Sequence, residues 1–133
     1  MPVHHRLRRL VFASLLAAGV LYGARGASAG TLASGILLST DAERLDCFLS
    51  NVGSKPVSIT SVQINNGGNT ILSLDTNTCD ALDPGRNCTF SAGLDARFSA
   101  RAVVEVTAGA KSLRGQCQLT TSSNHLVAST ELR

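Results

Sequence analysis

Beyond residue 29 the chain carries one histidine, His125, in a polar, turn-like stretch near its C-terminal end. Nucleophilic catalysis of the serine-histidine kind needs three groups that converge in space. No serine stands in a Gly-x-Ser-x-Gly elbow, so His125 reads as a surface residue. Four cysteines, Cys47, Cys79, Cys88 and Cys117, would supply zinc ligands together with this histidine. Their spacings lack the close Cys-x(2–4)-Cys pairs of structural zinc sites. Asp75, Asn77, Asp80 and Asp83 form an oxygen-rich stretch without the alternating carboxylates of an EF-hand, and it reads as a solvated loop. Asp41 with Glu43, and Asp80 with Asp83, have the composition of a glycosidase pair. Both pairs sit in loops, where short acidic spacings are commonplace. No catalytic residue, metal or cofactor is therefore expected.

Binding is the remaining chemistry. Past residue 29 there is no Trp and no Tyr, and only Phe48, Phe90 and Phe98, so sugar recognition through amphipathic rings is poorly served. Phe48 has the opposite parity to Cys47. It is either an exposed anchor on a binding face or a ring tucked beneath a loop. Arg97, Arg101 and Glu105 share one strand face, and Arg114, Gln116 and Gln118 another. They either line a protein-binding face or form the solvated side of an antiparallel sheet. A partner peptide adding as a strand at an exposed edge is a further mode. Asn87-Cys88-Thr89 matches an N-glycosylation acceptor, a match short enough to arise by chance.

The N-terminus reads as a secretory leader. His4, His5, Arg6, Arg8 and Arg9 make a basic start, residues 10–22 are an apolar run, and Ala27-Ser28-Ala29 is a small-x-small cleavage site before Gly30. A membrane-spanning helix needs roughly 20 apolar residues, more than this run supplies. Arg8-Arg9 lacks the rest of a twin-arginine motif, which favours the general secretory route, and no cysteine follows the cut to suggest a lipoprotein. The expectation is a signal peptide over 1–29 and one domain over 30–133, secreted or periplasmic, with no transmembrane anchor in the mature form. Without the leader, eight Lys plus Arg face nine Asp plus Glu, and net charge falls from +3 to −1. Little then remains to neutralise phosphates, so no nucleic-acid partner is expected.

Alternating side chains organise the mature chain. Residues 31–40 are a first strand candidate. In 45–50, Leu45, Cys47 and Leu49 point one way, and Asp46, Phe48 and Ser50 the other, the period of a half-buried strand. Asn51 to Pro56 reads as a turn. In 57–64 the parity of Val57 and Ile59 opposes that of Val62 and Ile64. Either a β-bulge at Thr60-Ser61 reconciles them, or one half is buried on both faces. The chain reverses at Asn65-Asn66-Gly67-Gly68-Asn69, and 70–74 is read as a short edge strand. Further strands are expected at 87–92, 97–106, 113–119 and 126–130, with 107–112 as a hairpin loop. Phe98, Ala100, Ala102, Val104 and Val106 give the longest clean alternation. Seven or eight short strands and no helix argue for a sandwich of two antiparallel sheets, with Greek-key connections.

Between Cys79 and Cys88 the residues Asp83-Pro84-Gly85-Arg86 spell a tight turn, with proline presetting φ and glycine accepting a positive one. An even cysteine count in an exported chain reads as two disulfides. Three pairings are open. Strand position favours Cys79 with Cys88 around one loop. It also favours Cys47 with Cys117, joining either the two sheets or neighbouring strands. The chain-entropy model assigns roughly 2–3 kcal/mol to the short closure and about 4 kcal/mol to the long one.

The stretch Cys-Asp-Ala-Leu-Asp-Pro-Gly-Arg-Asn-Cys-Thr-Phe at 79–90 resembles the cysteine-flanked L-x-P-G-x-x-C segment of many bacterial secreted immunoglobulin-like domains, some of the abnormal-spindle/Hydin-like class. Residues 45–64 and the C-terminal strands are similar to small exported bacterial proteins of uncharacterised function. The resemblance implies an all-β, immunoglobulin-like antiparallel β-sandwich that serves as an adhesive, linker or partner-binding unit. It transfers no activity. The expected role is non-catalytic contact with a protein or envelope component. The alternative is a small hydrolase or hydrolase inhibitor with a loop-borne site. Mass mapping of the exported product should find all four cysteines in disulfides, and circular dichroism should show strand rather than helix; free thiols or a helical spectrum would refute the reading.

Overall fold

The computed structural model describes residues 29–38, 42–67, 69–94 and 99–133. Most of the leader read at 1–29 lies outside these residues, as do Asp41, Arg97 and Phe98. The described residues form β1 (Gly30–Ala33), β2 (Leu37–Leu38), β3 (Arg44–Asn51), β4 (Val57–Asn66), β5 (Thr76–Asn77), β6 (Ala81–Leu82), β7 (Asn87–Gly93), β8 (Ser99–Val106), β9 (Leu113–Thr120) and β10 (Leu126–Leu132). One sheet has the order β1-β8-β4-β6, with β2 also on β8. The other has the order β10-β9-β3-β7-β5. Every pairing is antiparallel. The architecture is an immunoglobulin-like β-sandwich with two disulfides.

Alternation decides which side chains enter the core. On β3, Leu45, Cys47 and Leu49 are fully buried, and Arg44 and Phe48 are exposed. On β8, Ala100, Ala102, Val104 and Val106 are buried, and Arg101 and Glu105 are exposed. Among the described residues Phe90 of β7 is the largest side chain wholly inside. The conflicting parities of β4 are reconciled by a bulge: Ile59 pairs with Val106 and Ser61 with Glu105, leaving Thr60 as the extra residue. Gly85 takes φ of 75° at the third position of the Asp83–Arg86 turn, where the Arg86 N–H donates to the Asp83 carbonyl at 3.0 Å.

Three local expectations change. Residues 70–74 form no strand. They make an isolated bridge, Asn65 with Ile71, and Ile71 is exposed. The chain leaves that sheet because Asp75 and Thr76 pair with Ser91 on the other. Residues 31–40 do not run as one strand: β1 ends at Ala33, and β2 resumes at Leu37. Residues 107–112 are a crossover, not a hairpin. Gly109, at φ of 79°, precedes a 3-10 turn (Ala110–Ser112) that carries the chain from β8 to β9 in the opposite sheet. There β9 lies on β3, with Cys117 directly opposite Cys47.

That register sets the Cys47–Cys117 disulfide, whose Cα atoms are 4.1 Å apart. It joins neighbouring strands within one sheet rather than the two sheets. The Cys79–Cys88 disulfide has a different task. Residues 75–82 form a strip along one side of the sandwich: β5 bonds to β7, then β6 bonds to β4 in the other sheet. The Ile59 N–H donates to the Asp80 carbonyl at 2.7 Å, and the Thr78 N–H to the Thr89 carbonyl at 2.9 Å. Cys79 lies between β5 and β6, so its bond to Cys88 fastens this strip to β7. On the opposite side β1 pairs with β8, while Ala33 and Arg133 exchange backbone hydrogen bonds at 2.9 and 3.2 Å. Both lateral seams of the sandwich are thus bridged.

Asn51, at the end of β3, is fully buried. Its amide nitrogen donates to the carbonyls of Lys55 and Leu82, each at 2.8 Å. Its side-chain oxygen accepts the Gly53 N–H at 2.9 Å. Its backbone N–H donates to Arg86, and its carbonyl accepts from Gly85. One residue therefore holds the 51–56 turn and the Asp83–Arg86 turn against each other. Replacement by a shape-matched apolar side chain strands these buried partners, each at a cost of about 1–3 kcal/mol. Asn51→Leu should lower stability by about 3 kcal/mol, seen as a lower urea midpoint at unchanged m-value.

Candidate functional site

The outer face of the β10-β9-β3-β7-β5 sheet carries the exposed ring of Phe48, which is 44% accessible. The ring is thus exposed and does not lie beneath a loop. Directly opposite it stand Gln116 on β9 and Thr89 on β7. Ser50, two residues on, faces Arg114. Glu131 on β10 lies across from Gln116. These side chains share a face because β3, β9 and β10 keep their in-out alternation in register. At Gly115, between Arg114 and Gln116, the inner position is filled by its neighbours. A Cβ there would come within 2.8 Å of Leu49 Cδ2 and 2.7 Å of Leu132 Cδ1.

Phe48, Ser50, Lys111, Arg114, Gln116, Glu131 and Arg133 line an open depression of about 850 Å3, together with the buried Leu32, Leu113 and Leu132. Arg133 pairs with Glu131 at 2.7 Å, and both are largely exposed. Such a pair contributes little to stability. Arg44 pairs with Asp46 at 2.7 Å, while Thr120 Oγ1 donates to Asp46 Oδ2 at 3.1 Å. Among the described residues neither ion pair uses Lys111 or Arg114. The Arg114 Nη1 group donates to the backbone carbonyls of Lys111 at 2.9 Å and Leu113 at 2.8 Å. The guanidinium is thereby held in place while no carboxylate among the described residues pairs with it.

The structure divides the other binding candidates. Arg101 and Glu105 project from β8 on the outer face of the opposite sheet, away from Phe48, Arg114 and Gln116. Glu105 borders a smaller depression of about 370 Å3 with Thr31 and Thr60. Arg97 lies outside the described residues. Lys111, Glu131 and Arg133 entered the site without having been singled out. Lys111 comes from the crossover turn, Glu131 from the end of β10 and Arg133 from the residue that follows it. The alternation of Ser129 and Glu131 was the only signal available.

Asp41, weighed with Glu43 as an acidic pair, lies outside the described residues. His125 lies in the exposed turn between β9 and β10, where its N–H donates to Thr121 Oγ1 at 3.3 Å. The Asn77 side-chain oxygen accepts the Cys79 N–H at 2.9 Å. Among the described residues no three His, Cys, Asp or Glu side chains cluster closely enough to hold a metal ion. No helix of the described residues is long and apolar enough to cross a membrane. Comparison with protein-family models, with curated proteins and with solved structures matches none of them to this chain.

Exposure separates the two phenylalanines energetically. Phe90→Ala should cost about 3–5 kcal/mol, the range for truncating a buried ring. Phe48→Ser should cost about 1 kcal/mol or less, since much of the ring already meets water. Paired urea titrations of the two variants check this contrast.

Proposed function

We propose that the protein is an exported, non-catalytic binding module that engages a protein or envelope component through the outer sheet face around Phe48. The observation that carries this reading is the exposed ring itself. An aromatic side chain set among hydrogen-bonding neighbours on a rigid sheet is typical hot-spot material, because a partner can remove it from water and bond to its surroundings. Gln116, Ser50 and Thr89 supply donors and acceptors beside the ring, and Arg114 supplies an oriented charge. The basic start, apolar run and small-x-small site over 1–29 support export. So does the presence of two cystines, which persist in oxidising compartments. The likeness of 79–90 to the loop of secreted bacterial immunoglobulin-like domains points the same way.

The immobilised chain, incubated with envelope extract and culture medium of its own source, should retain a reproducible partner. Phe48→Ser should weaken that retention about 5–30-fold, equivalent to roughly 1–2 kcal/mol at an interface anchor. Equal retention by wild type and variant would remove Phe48 from the interface. Hydrolytic turnover of a substrate by the purified chain would overturn the non-catalytic reading.

A further inference from the structure

We infer that the depression beside Phe48 receives an extended segment of a partner protein in which an acidic and an apolar side chain stand two residues apart. The inference rests on the Phe48 face being the binding face, and adds the chemistry of what it binds. The charge balance of the depression is the first reason. Lys111 and Arg114 line it without an acidic partner among the described residues, whereas Glu131 is occupied by Arg133. An incoming carboxylate therefore meets two cations and no unneutralised acid.

Arg114 is also prepared for this role. Both of its intramolecular hydrogen bonds use Nη1, directed to the Lys111 and Leu113 carbonyls. Nη2 and Nε remain as donors, and guanidinium groups bind carboxylates through paired N–H donors of this kind. Because the side chain is already tethered, less rotamer freedom is lost when a ligand arrives.

Spacing supplies the third reason. Phe48 faces Gln116, so Arg114 is its diagonal neighbour across the β3–β9 pair. Diagonal positions lie about 7–8 Å apart between Cα atoms, less between side chains. Two residues of an extended chain advance about 6.6 Å and point the same way. A segment laid across β3 and β9 thus sets one side chain on the Phe48 ring and the next on that side against Arg114. Ser50 and Gln116 flank both positions and can bond to the segment's backbone. A phosphate backbone is a poorer fit, because it needs a longer track of cations than Lys111 and Arg114 provide.

The test uses the full chain, labelled with nitrogen-15, and the blocked peptide acetyl-Ser-Asp-Ser-Phe-Ser-amide. Amide shifts should move at Phe48, Ser50, Arg114 and Gln116 and saturate below about 10 mM peptide. Lys111→Gln should weaken binding several-fold with an unchanged melting temperature, Arg114→Gln should weaken it several-fold with at most a small loss of stability from its two carbonyl bonds, and added salt should weaken it further by screening. An analogue with lysine in place of aspartate should not bind. Equal binding of that analogue, tighter binding of a thymidine pentanucleotide at the same residues, or no shift at those residues would each overturn the inference. Retention of the captured partner that is lost in Phe48→Ser but untouched in Arg114→Gln and Lys111→Gln would leave the binding face standing and remove the acidic segment.

Discussion

The corner of this sandwich turns on the side-chain amide of Asn51. It lies wholly inside the protein, where an unbonded polar group is expensive. It bonds to Gly53 and Lys55 nearby and to Leu82 across a 31-residue separation. The local bonds shape the exit from β3, and the distant one docks the strand before the Pro84-Gly85 turn. The backbone of the same residue accepts from Gly85 and donates to Arg86. The departure of β3 and the turn that leads into β7 meet at this one point. Because β3 carries Phe48, the placement of the exposed ring depends on the same anchor.

Side-chain alternation made much of the fold legible. The faces of β3, β8 and β9, the positive φ at Gly85 and the two cystine partners all come from local pattern or strand parity, whereas parity left the bulge at Thr60 as one of two alternatives that the register decides. Parity does not state which sheet a strand joins. This is why β8 and β9 read as a hairpin although they lie in opposite sheets. Thr70 to Leu74 had a strand-like composition, but the pull of β7 on Asp75 and Thr76 takes the chain elsewhere. Asn51 read as an ordinary turn residue, since the carbonyl that buries it belongs to Leu82.

The candidate site was half legible for the same reason. Parity placed Phe48, Arg114 and Gln116 outward, and pairing of β3 with β9 joins them. Parity equally placed Arg101 and Glu105 outward, but on the opposite sheet. Lys111 and Arg133 reach the depression through a turn and a strand end, where no periodic pattern points. The tethering of Arg114 by two carbonyls depends on the 3-10 turn, which has no distinctive sequence of its own.

The two bridged seams bear on how this molecule meets others. A sheet that stops at a bare strand offers its backbone as a template on which a foreign chain can lengthen it, the usual start of fibrous accretion. Here residues 75–82 on one flank, and Ala33 with Arg133 on the other, commit backbone groups to both layers. Those committed groups are not free to template a foreign strand. On the broad faces, by contrast, a visitor would meet amino-acid identity rather than main-chain geometry.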